Sequence, residues 1–138
     1  MNDSKKIALI RVFADFGGFT HSTHYPRDYL SNPDRYPHLQ NLLTPKLCGM
    51  LHDWGLEFRM CAADDYFNRQ HGRMLWISFD LAGIRVCKAI KQHVTNRARV
   101  VYLKPSEDPF MRYQYAREIM EDGTVCDLPG DIKGRYTD

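Results

Sequence analysis

"KKIALIRVFAD", residues 5–15, runs straight into "FGGF", residues 16–19. Both alternating faces of the first segment are largely apolar. A strand is that apolar on both sides only when both sides are covered, so residues 5–15 are expected as a central strand. The two glycines then break it. A hairpin return through residues 19–23 would lay an antiparallel neighbour beside it. The rest of "FTHSTHYPRDYLSNPDRYPHLQN", residues 19–41, is rich in Pro, Asn, Asp, Tyr and His, which predicts a long loop over about 16–41.

Downstream, "TPKLCGMLHDWG" reads as a helix. Thr44 is a natural N-cap, Pro45 suits the first helical position, and Leu47, Met50, Leu51 and Trp54 form one apolar stripe. Gly55 is expected to close it in a left-handed cap. "LEFRMCAA", residues 56–63, alternates apolar and polar and reads as a half-exposed strand. A long helix is expected from about Tyr66 to about His93. Gly72 and Gly83 lie on its inner arc, where a missing side chain allows close contact with a sheet. "RARVVYLK", residues 97–104, is a further strand. "SEDPFMRYQYAREIMEDG", residues 106–123, reads as a last helix with Ser106 or Asp108 as cap and Gly123 after its end. The tail from about 124 to 138 is turn-rich. The expected fold is therefore α+β (mixed α/β), one domain spanning 1–138, with about three helices packed on a three- or four-stranded sheet.

Composition bounds the function. Apolar residues make up 43% of the 138, enough for a core and against wholesale disorder. No apolar run approaches the ~20 residues that span a bilayer. The first residues, "MNDSKKIALIRVF", lack the apolar stretch of a secretory signal, so the cytoplasm is the expected location. Cys48, Cys61, Cys87 and Cys126 form no C-x-x-C pair and read as free thiols. Charge is uneven. Residues 66–105 carry eight Lys or Arg against one acid, Asp80, whereas residues 106–138 carry four bases and eight acids. Either the two halves neutralise each other or the basic part faces an anionic partner.

In "CAADDYFNRQHGR", residues 61–73, Arg69 and Arg73 are four apart near the expected helix start, a suitable place for an anion. The competing reading has Asp64 and Asp65 capping that helix and pairing with the arginines. The pattern C-x-x-x-D-x-F-N-R-x-x-G-R, carried by Cys61, Asp65, Phe67, Asn68, Arg69, Gly72 and Arg73, resembles a signature in small proteins of tailed bacteriophages. The resemblance covers about thirty residues. It implies phage origin and a strand-to-helix unit, and it brings no activity with it.

Other constellations point elsewhere. His21-Ser22-Thr23 and His93-Val94-Thr95 are two H-x-T tripeptides. They resemble the paired motifs of the 2H phosphoesterases, which implies His21 and His93 as general acid and base, and Thr23 and Thr95 as phosphate holders. The substrate would be a nucleotide or cyclic oligonucleotide. That family sets its motifs in hydrophobic strands, unlike the polar surroundings here. His21 and His24, with Cys48 and His52 at helical i, i+4 spacing, could together close a zinc site. Asp15, Asp64 and Asp65 follow two expected strands, where capping and turn roles compete with a magnesium site.

The leading expectation is a binding protein rather than an enzyme, with no cofactor and no membrane partner. It would be a phage-type accessory protein acting in the host cytoplasm. Arg69, Arg73, Arg85, Lys88 and Lys91 would contact a host protein, such as a defence factor or polymerase, or nucleic acid. A homodimer is compatible with that reading. The alternative is the 2H-type phosphodiesterase.

Overall fold

The computed structural model describes residues 6–62, 74–108 and 115–128. Asp64, Asp65, Arg69, Gly72, Arg73 and Pro109 lie outside them. The described residues form a mixed α+β fold. Strands β1 (Ala8–Val12), β2 (His21–His24), β3 (Ala98–Leu103), β4 (Ala116–Ile119) and β5 (Val125–Leu128) make one sheet, with helices α1 (Pro45–Glu57) and α2 (Trp76–Val94). The spatial order is β2-β1-β3-β4-β5. β1 and β3 are parallel and every other neighbouring pair is antiparallel.

β1 is the expected central strand, flanked on both sides. The 19–23 return is real: β2 pairs with β1 from Leu9↔His24 to Val12↔His21. Ala8, Ile10 and Val12 join Val100, Tyr102 and Ile119 on the face that meets the helices. Leu9, Val101, Leu103 and Ala116 form a smaller cluster on the other face, with Phe13, Tyr115 and Leu128 packed against it. Cover on both faces explains the apolar residues of this strand, and Arg11 is the exception.

α1 starts as its sequence dictates. Thr44 Oγ1 accepts from Leu47 N at 3.2 Å and Pro45 occupies the first position. Its end differs from the expectation. Gly55 lies inside the helix, where a Cβ would come within 2.6 Å of Thr20 Cγ2. Glycine serves close packing against the approach to β2 there, not a left-handed cap. The expected strand at 56–63 is absent. Phe58–Ala62 forms a π-helical turn continuing α1. Phe58 and Ala62 are buried, while Leu56 and Met60 are exposed. A two-residue alternation over 56–62 also contains the i, i+4 pair 58/62, and burial chose the helical period.

Within the expected helix over 106–123, residues 116–119 are instead the first strand of a hairpin. β4 and β5 pair from Ala116↔Leu128 to Ile119↔Val125. Gly123, at φ +88°, turns the chain between them, and Met120 N donates to Thr124 O at 2.8 Å. The sheet thus has five strands rather than three or four, and the described residues hold two α-helices rather than three.

The segment expected as a long loop is packed down. Tyr36, Leu39 and Leu42 are buried in the main core. The Tyr36 hydroxyl donates to Asp28, and Arg35 pairs with the same carboxylate at 3.0 Å. Tyr25 and Tyr29 stack at 4.2 Å. No helix among the described residues is long and apolar enough to cross a membrane.

Candidate functional site

α2 presents the basic face expected from the sequence, but in a smaller form. Its inner side is Phe79, Gly83, Val86, Cys87, Ile90 and Val94, with Lys91 among them. Lys91 is buried, and its Nζ donates to Thr95 O at 2.7 Å and Ala98 O at 2.8 Å. Burial lowers its pKa, with Glu121 and Glu118 opposing. Lys91 is therefore a cap on the C-terminal carbonyls of α2, not a contact residue. Its place four residues after Cys87, itself four after Gly83, marks it as inward-facing. Arg97 is also occupied, donating to Val94 O, His93 O and His38 O. Arg99 clasps Glu118 through two hydrogen bonds, of 2.9 and 2.6 Å. The acidic C-terminal part thus neutralises one cation of the middle. Arg85 and Lys88 stay exposed. On the same outer side, one and two turns earlier, Leu81 and Ile77 are 53% and 67% exposed, so the stripe is apolar at one end and cationic at the other.

The two H-x-T motifs are not brought together. His21 stands opposite Val12, at the carboxyl end of β1, with its Nδ1 3.1 Å from Thr20 Oγ1. Burial lowers its pKa. His93 sits at the end of α2, bonded to Asn41 O at 3.3 Å, just before Ala98 pairs with Ala8. Val12 and Ala8 are four residues apart along one strand, a span of about 13 Å. Thr95 Oγ1 donates to Val94 O at 2.7 Å. The strand register thus separates the two positions along β1. The zinc reading fares similarly. Cys48 and His52 are exposed on α1, and no group of three or more His, Cys, Asp or Glu among the described residues could hold a metal ion. Asp15 does turn work, its Oδ1 accepting from Phe19 N at 3.0 Å.

Two features escaped the sequence reading. One is a pair of carboxyl groups, half-buried Asp80 and buried Asp108, where β3 leaves the sheet. Asp80 of α2 accepts a 2.5 Å hydrogen bond from the Tyr102 hydroxyl and has Lys104 Nζ at 4.0 Å. Asp108, 3% exposed, also acts on the Asp80 carboxyl. Burial above all, reinforced by Asp108, raises Asp80 to about 7 against the pull of Tyr102 and Lys104. The cluster pins α2 to the exit of β3. Its signal in the sequence was Asp80 itself, the one acid of a basic stretch, set among apolar residues.

The second is a cavity of about 390 Å³ on the side of the sheet away from α2, past the carboxyl ends of β1 and β3. Arg11, Phe13, Ser22, Leu103, Lys104 and Tyr115 are among its walls. Its signal was a charge in the middle of "IALIRVFA".

Compared with known protein families, curated proteins and solved structures, the chain gives no significant match.

Proposed function

We propose that this chain is a phage-type accessory protein that binds a host protein through the outward side of α2. One observation carries the reading: Ile77, Leu81, Arg85 and Lys88 form a continuous exposed stripe on a helix whose inner side is fixed in the core. Protein interfaces combine a desolvated apolar centre with a charged rim. Exposed apolar patches rimmed by polar residues mark such surfaces. A nucleic-acid groove would instead require a denser run of free cations. Here Lys91, Arg97 and Arg99 are already engaged. The resemblance of residues 61–73 to phage proteins favours a partner in the host cell, and the cationic end favours an acidic one.

The test compares three proteins immobilised for capture from host lysate: wild type, Ile77→Glu/Leu81→Glu and Arg85→Glu/Lys88→Glu. The same discrete partner should be retained by wild type and lost, by at least tenfold, from both variants, since central anchors each carry about 1–2 kcal/mol or more. Melting temperatures should stay near wild type, because all four side chains point outward. Capture that survives both variants, or that disappears only on nuclease treatment, refutes the reading.

A further inference from the structure

We propose that the cavity on the face of the sheet away from α2 binds a small molecule carrying an oxyanion, a carboxylate or a phosphate, on a planar apolar body. Arg11 and Ser22 face each other across the β1–β2 pair. Both line the cavity. Arg11 Nε and Ser22 Oγ are fully buried, and neither has a hydrogen-bond partner among the described residues. Arginine has only donors, so the 2.5 Å contact of Arg11 Nη2 with His24 Nε2 has the imidazole as acceptor. That bond steadies the guanidinium without neutralising it, and no carboxylate among the described residues pairs with it.

The acids on the walls are turned to other work. Asp15 accepts from Phe19 N at 3.0 Å, and Glu107 accepts from the Ser106 hydroxyl at 3.2 Å. Lys104 leans to Asp80. Arg11 is thus a half-buried cation, its Nε enclosed, with a second donor set beside it by register. Burying a cation without a counter-charge is costly, and an oxyanion seated between Nε and the Ser22 hydroxyl would offset that cost with charge-assisted hydrogen bonds. Phe13 and Tyr115, packed on the Leu9, Val101, Leu103 and Ala116 cluster, supply an apolar wall for the rest of the ligand. The volume lies in the range of small-molecule sites. The position, outside the carboxyl ends of two parallel strands, is where sheets of this kind take ligands. The site is on the opposite side of the sheet from α2 and does not depend on the function proposed for that helix.

The experiment is an amide chemical-shift titration with sodium benzoate, phenyl phosphate and benzyl alcohol, on wild type, Arg11→Gln and Ser22→Ala. At least one of the two anions should give saturable shifts at Ser22, Leu103 and Lys104, with a dissociation constant on the order of 1 mM for so small a probe. The stronger anion identifies the headgroup. Benzyl alcohol should bind at least tenfold more weakly. Arg11→Gln should weaken the anion at least tenfold and Ser22→Ala about threefold or more. The same spectra report folding; should Arg11→Gln not fold, Ser22→Ala and the alcohol comparison decide. No saturable shift from either anion up to about 20 mM overturns the proposal. So does benzyl alcohol binding as well as the anions, or an unchanged response in the folded variants.

Discussion

Gly83→Ala and Gly49→Ala make the same chemical change on two helices and should have opposite effects. At Gly83 a Cβ would lie 2.4 Å from Tyr102 Cε1 and 2.9 Å from Trp54 Cζ2. Neither ring has room to withdraw. Tyr102 is buried, with its hydroxyl fixed on Asp80 at 2.5 Å. Trp54 Nε1 donates to Phe79 O at 3.1 Å, and its ring stacks on Phe79 at 4.8 Å. α2 must therefore lift off β3 to admit the methyl group. Overpacking of a tight core costs about 1–3 kcal/mol, and contacts this short belong at the upper end. Alanine regains about 1 kcal/mol of helix propensity. The net loss is about 2 kcal/mol, which for a chain of this length lowers Tm by roughly 6 °C. At Gly49, exposed on α1, a Cβ meets nothing within 4 Å. There the propensity gain stands alone, about 0.5–1 kcal/mol, raising Tm by roughly 2–3 °C. Thermal and urea melts followed by circular dichroism at 222 nm measure both. Gly83→Ala melting at or above wild type would refute the close approach of α2 to the sheet on which the account of the core rests.

The Asp80 cluster gives stability a distinct pH dependence. With its carboxyl raised from 3.8 to about 7, the folded state holds a proton that the unfolded chain releases. This group's contribution is therefore greatest below about pH 4 and is lost as pH rises through about 7. Asp80→Asn keeps an acceptor for Tyr102 and should flatten the decline, leaving the variant at least as stable as wild type at pH 8. Urea midpoints at pH 5 and pH 8 decide, and parallel profiles for the two proteins would contradict the raised Asp80 carboxyl. Lys91→Met should cost about 1–3 kcal/mol by leaving Thr95 O and Ala98 O without their donor. Lys88→Met, on the exposed side, should stay within about 0.5 kcal/mol of wild type. Equal urea midpoints for these two variants would return Lys91 to the surface.

Where the local signal matched the tertiary demand, the sequence was sufficient. An apolar run broken only by Arg11 requires cover on both sides, and β1 has it at Leu9 as at Ile10. Thr44 and Pro45 start α1 because orphan amides at a helix start accept few alternatives. Gly83 anticipated the close contact it makes. Where two periods fitted the same residues, sequence alone could not choose. Residues 56–62 satisfy both alternation and i, i+4 spacing, and only the pocket formed by Phe16, Trp76 and Phe79 around Phe58 selects the helical one. Residues 116–123 resemble a capped helix end until β3 offers an open edge. Unpaired strand amides and carbonyls then favour the hairpin, and Gly123 becomes its turn.

The candidate sites divide in the same way. The charge asymmetry and the cations of α2 were written in composition. Which cations remain free was not, because Lys91 is inward by helical phase and Arg99 meets Glu118 only through strand pairing. The cavity beside Arg11 and Ser22 depends still more on the fold: residues eleven apart in the chain become neighbours through one antiparallel register. Local patterns of polarity and backbone preference fix which segments want to be buried and in what conformation. Pairing between distant segments decides which charges are neutralised and which are left facing a space, because electrostatic and hydrogen-bond partners are set by distance in three dimensions.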